Sequence, residues 1–418
     1  MTESTWAGTH VFAAERIVPA TSVEEVQERV ATSSGKVRAL GTRHSFHDIA
    51  DSAGTLVSVV DVPFEAELDE GSGEVSVTAG TRYGVLARWL EERGRALHNM
   101  GSLPHISIAG ATQTGTHGSG NGNGILSTAV RGLEYVDATG ALRRVRAGDE
   151  GFEGLVVGLG AFGVVTRVSL ATQPSFQVRQ DVYRGLPWEA LLEDLDAVTS
   201  AAYSVSVFTD WVEGEVAQVW RKSLVDGSPE PPELWLGAHR DPREEGELVG
   251  NSEGLTVQGG VPGPWALRLP HFRLDRTPSN GDEIQTEYFV DRAAGSEALR
   301  AVRALAADIA PHLYITELRT AAADRLWLSG AYERDVLGIH FTWRNEPVAV
   351  HALLPRIEAA LAPFDARPHW GKWHGYDAER IARVTPRLAD ARDLYESLDP
   401  EGRFSNAHLE RLGVRVAR

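Results

Sequence analysis

Two glycine-rich loops constrain the fold of this chain more than any other feature. The first, residues 40–48, directly follows the β-type run Val37-Arg38-Ala39-Leu40 and contains His44. The second extends from Ser102 to Gly120 and carries Gly, Ser and Thr at close intervals. Glycine lets backbone amides approach a phosphate closely, and hydroxyl side chains add donors. Either loop alone also fits an ordinary surface turn, but the pair favours a binding site.

A third loop, residues 158–163, reads Gly-Leu-Gly-Ala-Phe-Gly and matches the dinucleotide fingerprint, with Asp181 downstream. That fingerprint needs a helix to begin at the loop, so that the helix amides meet the pyrophosphate. The residues that follow, 164–170, are rich in β-branched side chains in alternation, which predicts a strand. We therefore do not expect a Rossmann-type nicotinamide site here.

Length and charge narrow the classes of protein. A chain of 418 residues suggests two or three domains. The net charge of -17 argues against a nucleic-acid or anionic-membrane partner. The absence of cysteine excludes disulfides, thiolate metal sites and a cysteinyl cofactor link. Residues 1–16 lack the pattern of a secretion signal, and no apolar run could cross a bilayer, so we expect a cytoplasmic monomer.

Strand and helix patterns alternate along the chain and predict an α+β architecture. In the first part we expect strands at 56–60 and 75–77, a helix at 83–95, and a hairpin formed by 130–138 and 142–146. Beyond residue 174 we expect helices at 296–313 and 348–361, strands at 314–320 and 338–344, and short helices at the C-terminus. Residues 223–264 look like a long loop that covers a site.

Six motifs together resemble the vanillyl-alcohol oxidase family, and within it most closely the bacterial alditol (xylitol) oxidases. They are Gly41-Thr-Arg-His-Ser-Phe, Asn99-Met-Gly-Ser-Leu-Pro-His-Ile-Ser, Thr114-Gly-Thr-His-Gly, Gly158-Leu-Gly-Ala-Phe-Gly-Val-Val-Thr, His369-Trp-Gly-Lys and a closing Asp-Pro-x-Gly-x-Phe-x-Asn. The resemblance covers essentially the whole chain. It implies a two-domain α+β flavoprotein, with an FAD-binding domain at 1–174 completed by 376–418, and a substrate-binding cap domain at 175–375.

The resemblance also implies how FAD is held. His44 matches the residue that bonds covalently to the 8α-methyl group of FAD. The other positions that match the flavin lining are Ala39, Leu40, Gly41, Thr42, Arg43, Ser45, Ser102, Ser107, Gly110, Thr114, Gly115, Thr116, His117 and Val165. Arg43 is a departure, because the family usually has glycine before the linking histidine. If that position has a positive φ, an arginine there costs about 1 kcal/mol.

Three short segments carry the expected substrate chemistry. Period-two alternation puts Glu317 and Arg319 on one strand face, and His340 and Thr342 on another. Lys372 follows in a short turn, and it is one of only three lysines. Each segment alone fits an ordinary surface. The resemblance implies a pocket that binds a small polyol through Ser102, Glu317, Arg319, His340, Thr342 and Lys372.

The chemistry that follows from this resemblance is oxidation of the C1 alcohol of xylitol or sorbitol to the aldose. Lys372, with its pKa lowered by Arg319, is the expected base, and both charges favour the developing alkoxide. C1 passes a hydride to flavin N5, and O₂ reoxidises the flavin to give H₂O₂. A histidine link suits a chain without cysteine.

Three other functions remain open at this point. A sugar-lactone oxidase, or a dehydrogenase with another electron acceptor, would have the same fold and the same histidine link. A metal-dependent hydrolase would use His44 with His47, or His369 with His374, although neither pair has a recognised ligand spacing. A non-catalytic sugar-binding protein would be colourless.

Overall fold

We describe the fold from a computed structural model, which covers residues 3–212, 214–248, 254–276 and 282–418. Its strands form sheets of three, five and ten strands and two short pairs. The α-helices are Val23–Thr32, Tyr83–Glu91, Ile108–Gln113, Phe152–Val156, Trp188–Glu193, Leu195–Thr199, Gly295–Arg303, Ala306–Ile309, Pro347–Leu361, Ala378–Val384, Leu388–Leu398 and Ala407–Arg411. The 3₁₀ turns are Asp48–Ala50, Leu126–Ala129, Trp265–Leu267, Arg292–Ala294, Ala310–His312 and Ala362–Phe364. None of the helices in these ranges combines the length and the apolar character that a membrane crossing requires.

The three-stranded sheet is parallel and delivers the first glycine loop. Its strands lie in the order Arg16–Pro19, Thr55–Ser58, Val37–Leu40. The helix Val23–Thr32 covers it, because its buried Val26 and Val30 pack against the strand valines. The chain leaves this sheet at Leu40 and enters the loop directly.

The five-stranded sheet is antiparallel and lies in the order Ala66–Asp69, Glu74–Thr78, Val164–Ala171, Val130–Val136, Leu142–Arg146. The strand Val164–Ala171 confirms the prediction that a strand, and not a helix, follows the third glycine loop. That loop is held by Arg38, whose guanidinium donates to the carbonyl oxygens of Leu159 and Gly160 at 2.8 Å each. The fingerprint residues therefore serve a tight, buried turn ahead of a strand.

The ten-stranded sheet carries the chemistry that the sequence places beyond residue 174. Its strands are antiparallel, in the order Leu234–Trp235, Ala238–Asp241, Gln177–Arg184, Gln218–Leu224, Ser204–Thr209, Leu313–Ala321, Val336–Arg344, Glu283–Asp291 and Arg367–Pro368, and Gly263–Pro264 pairs with Gln177–Arg184. Two further pairs join Arg95–Ala96 to Gln173–Pro174 and Leu186–Pro187 to Glu215–Val216.

The C-terminal segment returns to the first glycine loop. Phe404 is fully buried in the small core beneath the three-stranded sheet, and its amide donates to Asp399 Oδ2 at 2.8 Å. The side-chain amide of Asn406 donates through Nδ2 to the carbonyl oxygens of Ile49 and Asp51. The closing motif thus braces the loop that carries His44. The domain boundaries at residues 174 and 375 stay a prediction.

Two expectations from the sequence are wrong in detail. The helix predicted at 296–313 is interrupted: it consists of Gly295–Arg303, Ala306–Ile309 and a 3₁₀ turn at Ala310–His312, which contains Pro311. Residues 223–264 are not one long loop, since they include three short strands after residue 230. Leu248 of this stretch does reach the cavity described below, while residues 249–253 lie outside the described part of the chain.

Candidate active site

A single cavity lies where the glycine loops face the ten-stranded sheet. Nearly all of the flavin and substrate positions predicted from the sequence line it. They are Ala39, Leu40, Gly41, Thr42, Arg43, His44, Ser45, Ser102, Ser107, Gly110, Thr114, Thr116, His117, Val165, Glu317, Arg319, His340, Thr342 and Lys372. Gly115 does not: it has a φ of 69°, and an added Cβ would point at Val157 and Ile125 in the core. Gly115 therefore shapes the turn between two lining residues.

The two predicted loops contact each other around Ser107. The Ser107 amide donates to Thr42 Oγ1 at 3.0 Å. A Cβ added to Gly41 would lie 2.6 Å from Ser107 Oγ, and one added to Gly110 would lie 2.7 Å from the same atom. Because side chains at these two positions would clash, glycine is what lets both loops close on one hydroxyl. This gives a narrow cleft between two glycine-containing loops, which is the kind of backbone approach that a pyrophosphate needs.

His44 is the observation that best tests the fit of a flavin. Both of its ring nitrogens are buried without a hydrogen-bond partner, although buried polar atoms normally have one. Burial lowers the pKa of His44 to about 4, so the ring is neutral and keeps a nucleophilic lone pair. The indole of Trp6 stacks on the imidazole at 5.4 Å. An oriented, neutral and unpaired imidazole suits attachment to a cofactor.

Arg43 adopts the backbone conformation that its glycine counterpart suggests, with a φ of 65°. Two contacts offset this strain. The Arg43 side chain forms an ion pair with Glu3, and its carbonyl oxygen accepts from the Trp6 amide at 2.8 Å. The N-terminal residues are thereby tied to the loop beside His44.

Three neighbouring strands supply the opposite wall of the cavity. In register, Glu317 lies across from His340, and His340 lies across from Glu287. On each strand, the side chain two residues away also lies on this face, because successive strand residues alternate sides. They are Arg319, Thr342 and Gln285. These six side chains give the wall a polar centre, beside which Ile315 and Phe208 also line the cavity.

Arg319 clamps this wall to the loop side. Its Nη1 donates to Ser102 Oγ at 3.2 Å and to the His117 carbonyl oxygen at 3.3 Å. Its Nη2 donates to Glu287 Oε1 at 3.2 Å, and its Nε faces Glu317 Oε2 at 3.5 Å. Arg319 thus fixes Ser102, which the sequence predicts to contact both flavin and substrate.

Lys372 is ion-paired inside the cavity. Its Nζ donates to Glu287 Oε2 at 2.8 Å, and the turn that presents it is closed by a bond from its amide to the His369 carbonyl oxygen at 3.0 Å. Burial lowers the pKa of Lys372, and the positive charge of Arg319 lowers it further, while Glu287 opposes both. The expected depression by Arg319 is therefore correct in direction, with burial as the larger cause.

Glu287 is the main residue that sequence reasoning missed. It is 1% exposed and accepts from Lys372, Arg319 and the His117 ring. Burial alone would raise its pKa, but the surrounding Lys372, His117 and Arg319 lower it well below the ordinary value. The signal was present: Glu283, Gln285 and Glu287 alternate along one strand, which the sequence analysis did not identify.

His340 is oriented by its neighbour on the next strand. Gln285 Nε2 donates to Glu283 Oε1 at 2.6 Å, which turns Gln285 Oε1 towards His340 Nε2 at 3.1 Å. His340 Nε2 then carries the ring proton, and Nδ1 remains a buried acceptor without a partner. A hydroxyl group in the cavity would satisfy it.

A second cluster, His47, Asp48 and His408, has the composition of a metal site. The positions of the protons on its histidine rings do not leave the nitrogen lone pairs that a metal ion would need. His47 Nδ1 accepts from the Ile49 amide at 3.2 Å, so its proton lies on Nε2 and leaves no lone pair there. His374 Nδ1 likewise accepts an amide proton. Asp48 is already shared between His408 and the cation of Arg411, so these contacts argue against the metal-dependent hydrolase.

Comparisons with known proteins agree with this geometry. The family model "FAD binding domain" matches residues 14–146, and the model "D-arabinono-1,4-lactone oxidase" matches residues 278–412. An alditol oxidase from Streptomyces sp. is 42% identical over 97% of this chain and 98% of its own length. An L-gulono-1,4-lactone dehydrogenase from Mycobacterium tuberculosis is 28% identical over 98% of each chain.

Among solved structures, the cholesterol oxidase from B. sterolicum superposes with a TM-score of 0.78 over 98% of this chain and 96% of that one, at 14% sequence identity. At that identity the likeness concerns the fold. It confirms the predicted α+β fold, and the match to the family model "FAD binding domain" supports a flavoprotein.

Proposed function

Because the chain belongs to the vanillyl-alcohol oxidase family, on the branch that contains alditol oxidase, we propose that it is an FAD-dependent oxidase of small polyols. It converts a terminal alcohol, as in xylitol or sorbitol, to the aldehyde of the aldose, and O₂ is reduced to H₂O₂. The polar wall opposite the flavin loops carries this proposal. A polyol offers a donor and an acceptor at every carbon, and this wall also carries both kinds of group.

The side chains of this wall divide the work. Glu317 and His340 Nδ1 accept from hydroxyl groups, while Thr342 and Ser102 add hydroxyls that both donate and accept. Each hydroxyl left unpaired in the cavity would cost roughly 1–3 kcal/mol. Arg319, held by Ser102 and Glu287, directs its charge at the oxygen of the reacting carbon.

Lys372 takes the proton of the C1 hydroxyl. Burial lowers the pKa of Lys372 and so increases the fraction of neutral amine that can act as the base, and Glu287 stabilises the ammonium ion once the proton has arrived. As the O–H bond breaks, the oxygen lone pair forms the carbonyl and C1 releases a hydride. Bound FAD would supply the acceptor for this hydride and the route by which the two electrons reach O₂.

We further propose that His44 holds FAD covalently, through the carbon of the 8α-methyl group. Support comes from its two unpaired buried nitrogens and from its neutral state. Denatured holoenzyme should retain flavin fluorescence on a denaturing gel, and His44→Ala should lose it while still binding FAD in the native state. Release of all flavin from the denatured wild-type protein would remove the covalent link.

Hydrogen peroxide release in air is the direct test of the function. We expect peroxide when xylitol is added and much less with L-gulono-1,4-lactone. The lactone is the comparison substrate because a more distant relative of this chain is an L-gulono-1,4-lactone dehydrogenase. If the lactone were oxidised and xylitol were not, the roles proposed for Glu317, Arg319 and Lys372 would have to be reassigned for a ring substrate. We propose that the enzyme acts as a monomer in the cytoplasm, which gel filtration and fractionation would check.

A further inference from the structure

Lys222 is a buried lysine that the reaction does not use. It lies in the strand Gln218–Leu224, and only 1% of it is exposed. Its Nζ donates to the carbonyl oxygens of Leu269 at 2.5 Å and Pro270 at 3.2 Å, and to His271 Nδ1 at 3.0 Å. Three N–H donors therefore meet three acceptors, one of which is a side chain. Burying an ammonium group is costly, so its placement needs a reason.

The contact with His271 fixes the proton of that ring. Because Lys222 donates to Nδ1, the single proton of the neutral imidazole lies on Nε2. His271 Nε2 then donates to Glu317 Oε1 at 2.6 Å. Trp220 and Phe208 pack against the ring in T-shaped contacts, with centroids 4.9 and 5.9 Å away. The result is a directed chain from Lys222 through His271 to Glu317.

We propose that Lys222 and His271 are positioning residues that present Glu317 to the substrate. His271 occupies one carboxylate oxygen, which leaves Oε2 beside Arg319 as the acceptor for one substrate hydroxyl. The same segment also positions Ser102, because the His271 amide donates to the Ser102 carbonyl oxygen at 3.0 Å. The proposal rests on the polyol oxidase function and adds how the pocket selects a hydroxyl at that place.

The electrostatics of the chain are consistent with this role. Burial, together with the charge of Lys222, lowers the pKa of His271 to about 4, so the ring stays neutral. Burial lowers the pKa of Lys222 to about 7, with Glu317 opposing and Arg319 assisting. With two carbonyl oxygens and His271 Nδ1 to satisfy, Lys222 needs all three N–H groups, so the chain is formed by its ammonium ion. Burial would raise the pKa of Glu317, but Arg319 and His271 lower it below the ordinary value.

A double-mutant cycle tests whether Lys222 acts through Glu317. The variants Lys222→Met, Glu317→Gln and the double variant are assayed for kcat and KM with xylitol. We expect Lys222→Met to raise KM roughly tenfold, with kcat changed less than about twofold. In the Glu317→Gln background the lysine substitution should have no further effect on KM. Fold-changes in KM that multiply would overturn the proposal, as would a loss confined to kcat.

Lys36→Met is the matched control. That lysine bonds to the Gly402 carbonyl oxygen and to Glu410, away from the cavity, so KM should stay at the wild-type value. The absorption spectrum of the bound flavin should be unchanged in all these variants. A raised KM in the Lys36 control would show that removing a structural lysine is enough, and would overturn the assignment.

A measurement without turnover keeps the proposal testable if Lys222→Met does not fold. In ¹⁵N-histidine-labelled wild-type holoenzyme, the resonances of His271 are identified by their loss in His271→Gln. We expect the signature of a neutral ring protonated on Nε2. A proton on Nδ1 would overturn the chain whatever the substrate. Failure of wild-type enzyme to oxidise xylitol would instead overturn the proposed function and leave the NMR result standing.

Discussion

The two walls of the cavity are built in different ways. The flavin-side wall consists of glycines, small hydroxyl residues and backbone, and its most conspicuous side chain, His44, has no hydrogen-bond partner. The substrate-side wall consists of charged and polar side chains from three strands, and Glu287 alone accepts from three of its neighbours. The flavin-side wall leaves the His44 ring for a cofactor to complete, whereas the charged groups of the substrate-side wall are mostly paired with one another and leave His340 Nδ1 for a substrate.

This difference separates cofactor retention from catalysis. On the flavin side, Ser107 and Thr42 join the two glycine loops, and Ser102 and His117 also bond to the opposite wall, so a change elsewhere on that side acts locally. On the substrate side, Arg319, Lys372 and His117 share one carboxylate, so a change in any of them alters the charges of the others. Variants of the two walls should therefore give different kinds of defect.

The largest effect should come from Lys372→Ala. Loss of the base should lower kcat by about 10²–10⁴-fold, the range typical of general acid–base catalysis. The flavin-side wall is untouched, so the purified variant should keep its yellow colour and its full flavin content. Peroxide release and the absorption spectrum measure the two properties separately.

Lys36→Ala is the control for this change, since that lysine lies outside the cavity. Its turnover should match the wild type. Near-normal turnover of Lys372→Ala would exclude Lys372 as the base. Loss of flavin from Lys372→Ala would show that the two walls are not independent.

The same difference explains what the sequence could predict. The flavin side is encoded in contiguous motifs, so all but one of its predicted lining residues reach the cavity, Gly115 being the exception. On the substrate side, alternation placed Glu317 with Arg319, and His340 with Thr342, on shared strand faces because it depends on one strand at a time, and the family resemblance implied that they line the pocket. Glu287 pairs with residues 30 or more positions away, and strand register is not visible in one sequence.

His271 was missed for a related reason. It lies outside any helix or strand, so no periodic pattern of the sequence points to it. Its role also depends on Lys222, which lies in a strand distant in sequence. The rarity of lysine was the available clue, since all three lysines have defined partners. The helix at 296–313 was mispredicted because its apolar spacing continues past Arg303, where the first helix ends, and on to the 3₁₀ turn that contains Pro311.

A smaller and more specific effect is expected from Glu287→Gln. The carboxylate raises the pKa of Lys372 against burial. Without it the pKa of Lys372 falls further, so the neutral amine forms at lower pH. The rising limb of kcat/KM against pH should move to lower pH, and the plateau should fall because the ammonium ion loses its partner.

The control for this pH shift is Glu358→Gln. Glu358 is also buried, but it bonds to Tyr288, which points to the other side of the same strand. Its pH limb should not move. A limb that stays in place in Glu287→Gln, or moves to higher pH, would contradict the view that Glu287 sets the charge of Lys372.

The smallest effect concerns backbone strain on the flavin side. Arg43 has a φ of 65°, which costs about 1 kcal/mol for any residue with a Cβ. The ion pair with Glu3 is partly exposed and offsets roughly 0–1 kcal/mol of this. Arg43→Ala removes the ion pair and keeps the strain, whereas Arg43→Gly removes both. In urea unfolding of the holoenzyme, the glycine variant should therefore be more stable than the alanine variant by about 1 kcal/mol. Equal stabilities would mean that the loop relaxes around residue 43. The backbone of the flavin-side wall would then be less rigid than its close loop contacts indicate.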